Sequence, residues 1–258
     1  FQSLRMAKDN VLVRKINGLE TAGSLDILFS DKTGTITEGK LSVAEFITGD
    51  IVQFQNFSMI SSDLEQDIIT GIGVNNSASA NDNDVIGGNS TDRALLAFLV
   101  KERKSNLINK QTIQNFHAFD SNKKYSHVTV LQNGKEHIYL KGAPEKIVER
   151  CTQYVDTNGS VHPLNNRNLI DSYMNEQASR SMRLLAVAKG SSIDENAPLT
   201  LICIISIRDN VRKDAADAIQ EVQNAGVHVV MVTGDRKVTA IAIAKDSGIT
   251  KSDKDIAL

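Results

Sequence analysis

Asp31-Lys32-Thr33-Gly34-Thr35-Ile36-Thr37 places one carboxylate, one ammonium, three hydroxyls and a glycine directly after an apolar run. A carboxylate at the carboxyl end of a strand sits where open α/β sheets put their sites. It can attack phosphorus and become an aspartyl phosphate. Lys32 can offset charge on the transferred group. Thr33 can offer its backbone carbonyl to Mg²⁺, and the Thr35 hydroxyl can hold a phosphate oxygen. Gly34 lets the backbone come close. The same residues also read as an Asp-capped turn. A second turn, Thr233-Gly234-Asp235, follows another apolar run and opens a helix. Its hydroxyl and free N–H groups suit an anion, or serve only as an N-cap. Two such turns ending two strands of one sheet point to a shared phosphoryl site with Asp31 and Thr33 as its metal-side oxygens.

A third group of residues lies mid-chain. Phe119 offers a face on which a purine can stack, and Lys124 and Lys141 can meet phosphates. Gly142 permits close approach of a ligand, and Pro144 suits the first turn of a helix. Taken singly, Phe119 reads equally as core and each lysine as solvated surface.

The elements that must hold these groups divide into two patterns. Leu25 to Phe29 reads as a buried strand with Asp31 just past its end. Lys213 to Ala225 reads as a helix stopped by Gly226, Val227 to Val232 as a strand, and the Ala/Ile run to Ser247 as a helix stopped by Gly248. Strand, helix and strand with short links imply a parallel sheet. Between these ends, Ser121 to Leu140 alternates around Asn133-Gly134, the signature of a type I′ hairpin in an antiparallel sheet. Helical stretches fall near Asp92–Lys104, Pro144–Cys151 and Leu169–Ser179. Asn75 to Ser90 is polar and low in complexity and reads as a mobile loop. The expected fold is a split α/β, Rossmann-like domain (1–41 and 208–258) with an inserted α+β domain (42–207) built on an antiparallel sheet.

Bulk properties narrow the classes. The 258 residues are 41% apolar and 23% charged, with a net charge of −2, which gives no general pull toward nucleic acid. No apolar run approaches the ~20 residues of a membrane helix. Cys151 and Cys203 lie far apart and form no metal-type pair. His117, His127, His137 and His228 show no ligand-like spacing. The start at Phe1 and the stop after Lys-Asp-Ile-Ala-Leu read as those of a piece of a longer protein.

"SDKTGTITEGKLSV" and "VTGDRKVTAIAIAKDSGI" resemble the P-type ion-pumping ATPases, a branch of the haloacid-dehalogenase superfamily, and the resemblance extends over almost the whole chain. It implies that Asp31 is the phosphorylated aspartate, Thr33 the Mg²⁺-carbonyl residue, and Thr233, Gly234 and Asp235 the second phosphate-side motif. Arg212, with Asp209, matches the family's Asp-Pro-x-Arg hinge, although the proline is absent. Phe119, Lys124 and Lys141 match the adenine-stacking phenylalanine and two lysines of the nucleotide-binding domain in type II pumps, and Arg183 an arginine that reaches the phosphates. Asp92 falls where the family usually has glutamate near the adenine amino group. Ser121 stands where many calcium pumps carry arginine. ATP and Mg²⁺ are the implied cofactors. The implied partners are a transported cation and the membrane and actuator domains of the same chain. The implied setting is the cytoplasmic side of an integral membrane pump, calcium-type being favoured.

His162-Pro163 is similar to a pair found in heavy-metal pumps, but Lys-Gly-Ala-Pro-Glu and the length of the insertion fit type II. A free-standing phosphatase of the superfamily would carry Asp-x-Asp, where the second carboxylate serves as acid and base, and Thr33 occupies that position. A nucleotide-binding module inactive by itself stays open as well. The family's Gly-Asp-Gly-x-Asn-Asp motif, and the lysine before it, are expected beyond Leu258.

Overall fold

A computed structural model describes Met6, Lys8, Leu12, Gly18, 23–81, 84–180, 182–194, 196–234 and 237–250. Its strands, in chain order, are β1 (Ile27–Asp31), β2 (Thr37–Ile47), β3 (Gln53–Phe54), β4 (Ala78–Ala80), β5 (Val85–Gly87), β6 (Thr112–Asp120), β7 (Tyr125–Gln132), β8 (Lys135–Gly142), β9 (Cys151–Val155), β10 (Val161–Pro163), β11 (Arg183–Gly190), β12 (Leu199–Val211) and β13 (His228–Val232). The α-helices among these residues are α1 (Ser62–Ile69), α2 (Ser90–Lys101), α3 (Pro144–Val148), α4 (Arg167–Ser179), α5 (Ala215–Asn224) and α6 (Lys237–Asp246). The chain forms two compact units, the larger from Glu38 to Asn210 and the smaller from 1–37 together with 211–258.

The larger unit is built on one sheet of order β10-β9-β12-β11-β8-β7-β6, with β2 also pairing β12. Side chains alternate across it, as the two-residue period of a strand requires. Tyr139 and Val187 face one apolar layer with Leu64, Ile68, Leu95 and Leu99 from α1 and α2. Leu140, Ala186 and Ala188 face the other, with Ile147 from α3 and Ile170 and Tyr173 from α4. Both helices that open the first layer are capped. The Ser61 hydroxyl accepts from the Leu64 N–H at 3.2 Å, and the Asn89 side chain accepts from the Asp92 N–H at 2.9 Å. Such caps contribute about 1 kcal/mol each. The Asn133-Gly134 turn joins β7 to β8 with φ of 51° and 74°, the positive pair a type I′ turn needs.

α4 also fastens the strands that open and close this unit. The Tyr173 hydroxyl donates to Glu45 Oε1 on β2 at 2.7 Å and lies 2.9 Å from Ser206 Oγ on β12. Gln177 donates to the same Glu45 oxygen at 3.1 Å.

Two expectations are corrected. The segment 75–90 is not a bare loop: Ala78–Ala80 pairs with Val85–Gly87 in a small antiparallel hairpin. Asn76 donates to the carbonyls of Ile72 and Asp92 at 2.8 and 3.0 Å, and Arg93 donates to those of Gly87 and Gly88. Hydrogen bonding by polar side chains thus anchors a stretch with few apolar residues. Asp82 and Asn83 lie outside the described residues.

The second correction concerns the smaller unit. β1 pairs in parallel with β13, in register from Ile27↔His228 to Asp31↔Val232. Asp31 is therefore the last strand residue, not one past it. The strand is also largely exposed, with Phe29 at 68% of full accessibility. Among the described residues two strands pair in this sheet, so its apolar faces are covered in part. Ile36, Ala215 and Ile219 form the small buried centre, flanked by Val229, Met231 and Ile243. Gly226 and Gly248, with φ of 87° and 74°, terminate α5 and α6 as read from the sequence.

Candidate functional site

Asp31 ends β1 in the β region (φ −70°, ψ 150°), and the chain then turns sharply. Thr33 at φ −76°, ψ 119° and Gly34 at φ 77°, ψ −4° define a type II turn, whose third residue must take positive φ. That requirement explains Gly34 better than close approach does, since no atom lies within 4 Å of an added Cβ. The Thr37 hydroxyl donates to the Lys32 carbonyl at 3.1 Å and closes the loop from inside. Lys32 is buried, while Asp31, Thr33 and Thr35 are exposed. Arg212 donates its backbone N–H to the Ile36 carbonyl at 3.0 Å, and its guanidinium reaches the Gly34 carbonyl at 3.5 Å. It belongs to the smaller unit and touches this loop.

Because Asp31 pairs with Val232, the loop after β1 and the turn at Thr233-Gly234 leave the same edge of one parallel pair. Thr233 is half-buried and Gly234 exposed. Asp235 lies outside the described residues. The exposed Asp31 carboxylate and the Thr33 carbonyl are hard oxygen donors of the kind Mg²⁺ takes.

In the larger unit, five of the expected residues are linked by hydrogen bonds made by themselves or by residues one or two away in the chain. The Arg183 guanidinium donates to Thr91 Oγ1 at 3.0 Å, and Thr91 precedes Asp92. Lys141 Nζ lies 2.6 Å from Asp92 Oδ1 and also donates to the Asn75 carbonyl. Two residues beyond Lys141, the Ala143 N–H donates to the Lys124 carbonyl at 2.9 Å. The Lys124 N–H in turn donates to the carbonyl of Asp120, the residue after Phe119, at 2.7 Å. Phe119 is 50% exposed, so its ring is open to a partner. It sits in a bulge: between the His117↔His127 and Asp120↔Tyr125 pairs, β6 spends one residue more than β7. Bulges of this kind re-aim side chains beside functional sites.

Lys141 is only 5% exposed, and burial pulls its pKa below the ordinary lysine value while the Asp92 charge pushes it back up. Both Asp92 oxygens are engaged, Oδ1 by Lys141 and Oδ2 by Asn89 and the Ser77 N–H. The shorter carboxylate therefore serves to hold the lysine. Asn75 is not legible in the sequence as part of the site. It is fully buried, and its amide donates to the carbonyls of Ser126 and Tyr139 on neighbouring strands, fixing the carbonyl that receives Lys141. Asn89 does carry a signal, since an Asn before an apolar-periodic run is an N-cap pattern.

Gly142 has a different reason from the one expected. A Cβ there would lie 2.2 Å from the Lys124 carbonyl oxygen and 2.6 Å from the Tyr125 Cα. The close approach is made by backbone, not ligand. Gly142→Ala is expected to destabilise the larger unit by about 1–3 kcal/mol, the usual range for overpacking. A lower urea midpoint at unchanged slope would show it; an unchanged midpoint would mean that the strands separate easily.

Among the described residues no three His, Cys, Asp or Glu side chains converge on a metal, and no helix is long and apolar enough to cross a membrane. Cys151 and Cys203 are buried free thiols, and burial pushes Cys151 up to about 12.

A family model described as "P-type ATPase, cytoplasmic domain N" matches residues 65–214. The chain is 32% identical, over its full length, to "Calcium-transporting ATPase 7, plasma membrane-type" of Oryza sativa subsp. japonica, covering 27% of that protein. It is 31% identical to "Calcium-transporting ATPase 1" of Bacillus cereus over 96% of its length, covering 29% of that relative. A Saccharomyces cerevisiae "Calcium-transporting ATPase 1" is 29% identical over 99% of the chain, which covers 30% of it. The chain spans between a quarter and a third of the length of these curated relatives. With the family match running across more than half of the chain and relatives of one kind along nearly all of it, the chain belongs to the P-type ATPases and contains their cytoplasmic domain N.

Proposed function

We propose that the chain is the catalytic part of an ATP-driven, calcium-type cation pump, in which the larger unit holds ATP and Asp31 receives its γ-phosphoryl group. In this reading 42–207 is the nucleotide-binding domain and 1–41 with 208–258 the phosphorylation domain. The observation that carries it is the register of β1 with β13, which sends the Asp31 loop and the Thr233-Gly234 turn off the same strand edge. The adenine ring stacks on Phe119, and Lys124 and Arg183 meet the phosphates. Lys141 lines the site from below, its charge balanced by Asp92. Asp31 attacks phosphorus as ADP leaves, forming an acyl phosphate. Lys32 and Thr35 stabilise charge on the transferred oxygens, and Thr233 and Gly234 present a hydroxyl and N–H groups on the other side. Asp31 and Thr33 would hold Mg²⁺, which when bound offsets the charge of the phosphoryl group. Thr33, unlike a carboxylate, cannot activate water, so the acyl phosphate persists. The whole protein's setting is a membrane, with this part on the cytoplasmic side, and its partners are ATP, the cation and the protein's own remaining domains.

The first test is on the chain as it stands. Titration with ATP is expected to show binding that Phe119→Ala weakens about tenfold, since a base stacked on a ring contributes roughly 1–3 kcal/mol. Equal affinities would remove Phe119 from the site. A nucleotide-binding module inactive by itself is the second reading, favoured by the burial and full pairing of Lys141 and Asp92 in the larger unit. Under it the chain binds ATP and acquires no phosphate.

A further inference from the structure

We propose that His117 and His127 form a two-imidazole clip for a borderline dication such as Zn²⁺, Ni²⁺ or Cu²⁺, on the outer edge of the larger unit's sheet. By sequence spacing they do not look like ligands. The antiparallel pairing of β6 with β7 makes them direct Cα partners, and their rings stack with centroids 4.4 Å apart and planes 20° from parallel. Opposite residues of such a pair have Cβ atoms about 4.5–5.5 Å apart. One ion at ~2.0–2.1 Å from each nitrogen needs the two nitrogens within about 4 Å of each other. The backbone already supplies that span.

What remains is a rotation of the rings about their Cβ–Cγ bonds, so that the lone pairs converge. His117 is exposed on an edge strand and can turn; His127 is half-buried, with the Tyr125 ring 6.2 Å away. Burial, His117 and Lys123 together hold the His127 pKa below the ordinary histidine value, so the ligating neutral form prevails at neutral pH. Of the charged groups nearby, Lys123 opposes a cation and limits the affinity, and the Asp120 carboxylate is occupied by the Asn122 and Lys123 N–H groups. Water completes the coordination. Two neutral nitrogens select borderline transition metals over Mg²⁺ and Ca²⁺, so this site would not compete for the ion proposed at Asp31. The inference is independent of the nucleotide reading.

The test is calorimetric titration of the intact chain with Zn²⁺, Ni²⁺ and Cu²⁺ near neutral pH and again at about pH 4.5, low enough to protonate imidazoles whose pKa lies below the ordinary value. One equivalent should bind in the micromolar range, Cu²⁺ more tightly than Ni²⁺, with Mg²⁺ silent. Binding should be lost at the lower pH. His117→Gln and His127→Gln should each weaken it at least tenfold, while His137→Gln and His162→Gln leave it unchanged. His117 lies on the edge strand β6 and His127 on its inner neighbour β7, and circular dichroism will show whether the variants remain folded. No binding, or binding that survives either of the first two substitutions and responds instead to His162→Gln, would overturn the assignment.

Discussion

Acid-quenched full-length protein, incubated with Mg²⁺ and ATP labelled in its γ-phosphoryl group, should carry label, and Asp31→Asn should carry none. Removing a covalent nucleophile typically lowers turnover by at least ~10⁴-fold, and here the substitution removes the carboxylate proposed to bond to phosphorus. The carboxamide keeps the shape of the β1 terminus, so the type II turn at Thr33-Gly34 and the pairing with Val232 should survive. ATP affinity should stay near that of the unaltered protein, because the residues proposed to hold ATP lie in the larger unit. That combination separates loss of chemistry from loss of folding. Label persisting in Asp31→Asn would assign the nucleophile elsewhere.

The second large effect is expected at Asp92. Asp92→Ala would leave the Lys141 ammonium buried with the Asn75 carbonyl as its remaining hydrogen-bond partner among the described residues. Breaking a buried ion pair from one side typically costs about 3–5 kcal/mol, a large share of a domain's ~5–15 kcal/mol. The pH dependence should identify the cause. Burial already draws the Lys141 pKa downward, and the Asp92 charge is what opposes it. Without that charge the folded-state pKa falls further, while the unfolded value stays near 10.4. Between the two the unfolded chain binds more protons, so stability should rise with pH. Asp92→Ala should therefore regain part of its loss as pH climbs from 7 toward 10. Urea unfolding across that range would test this, and a pH-independent deficit would point to simple cavity formation. Asp92→Asn, which keeps an acceptor, should fall between.

Much of the fold can be read directly because each signal is local. Asn133-Gly134 demands positive φ at two successive residues, which only a tight hairpin satisfies. Gly226 and Gly248 end helices for the same reason. What escapes depends on contacts distant in sequence. Asn75 reaches Ser126 and Tyr139, and nothing around it in the chain announces a buried hub. Gly142 reads as room for a ligand, whereas the space is taken by the Lys124–Tyr125 backbone. β1 reads as buried because its residues are apolar, yet burial depends on what covers a strand. The stacking of His117 on His127 follows from strand register, which spacing along the chain does not reveal. For the candidate site, motif residues are nameable one by one, but the role of Asp92 as the lysine's counter-charge requires the three-dimensional pairing.

The hydrogen-bonded neighbourhood of β2 and β12, fastened by Tyr173, has a bearing on the order of assembly. The smaller unit is made from two stretches separated by everything from Glu38 to Asn210. Bringing such remote ends together in a flexible chain carries a closure entropy of roughly 4–5 kcal/mol, by the (3/2)RT ln n scaling. Once the larger unit has formed, its own first and last strands already lie side by side, and the shorter loop left to close removes roughly 2 kcal/mol of that penalty. β1 and β13 then find each other across a much shorter loop, made of the Asp31–Thr37 turn and the α5 crossover. The smaller unit should accordingly be the late and conditional folder, and lesions that loosen Tyr173 or Glu45 should register there first, as slowed pairing around Asp31.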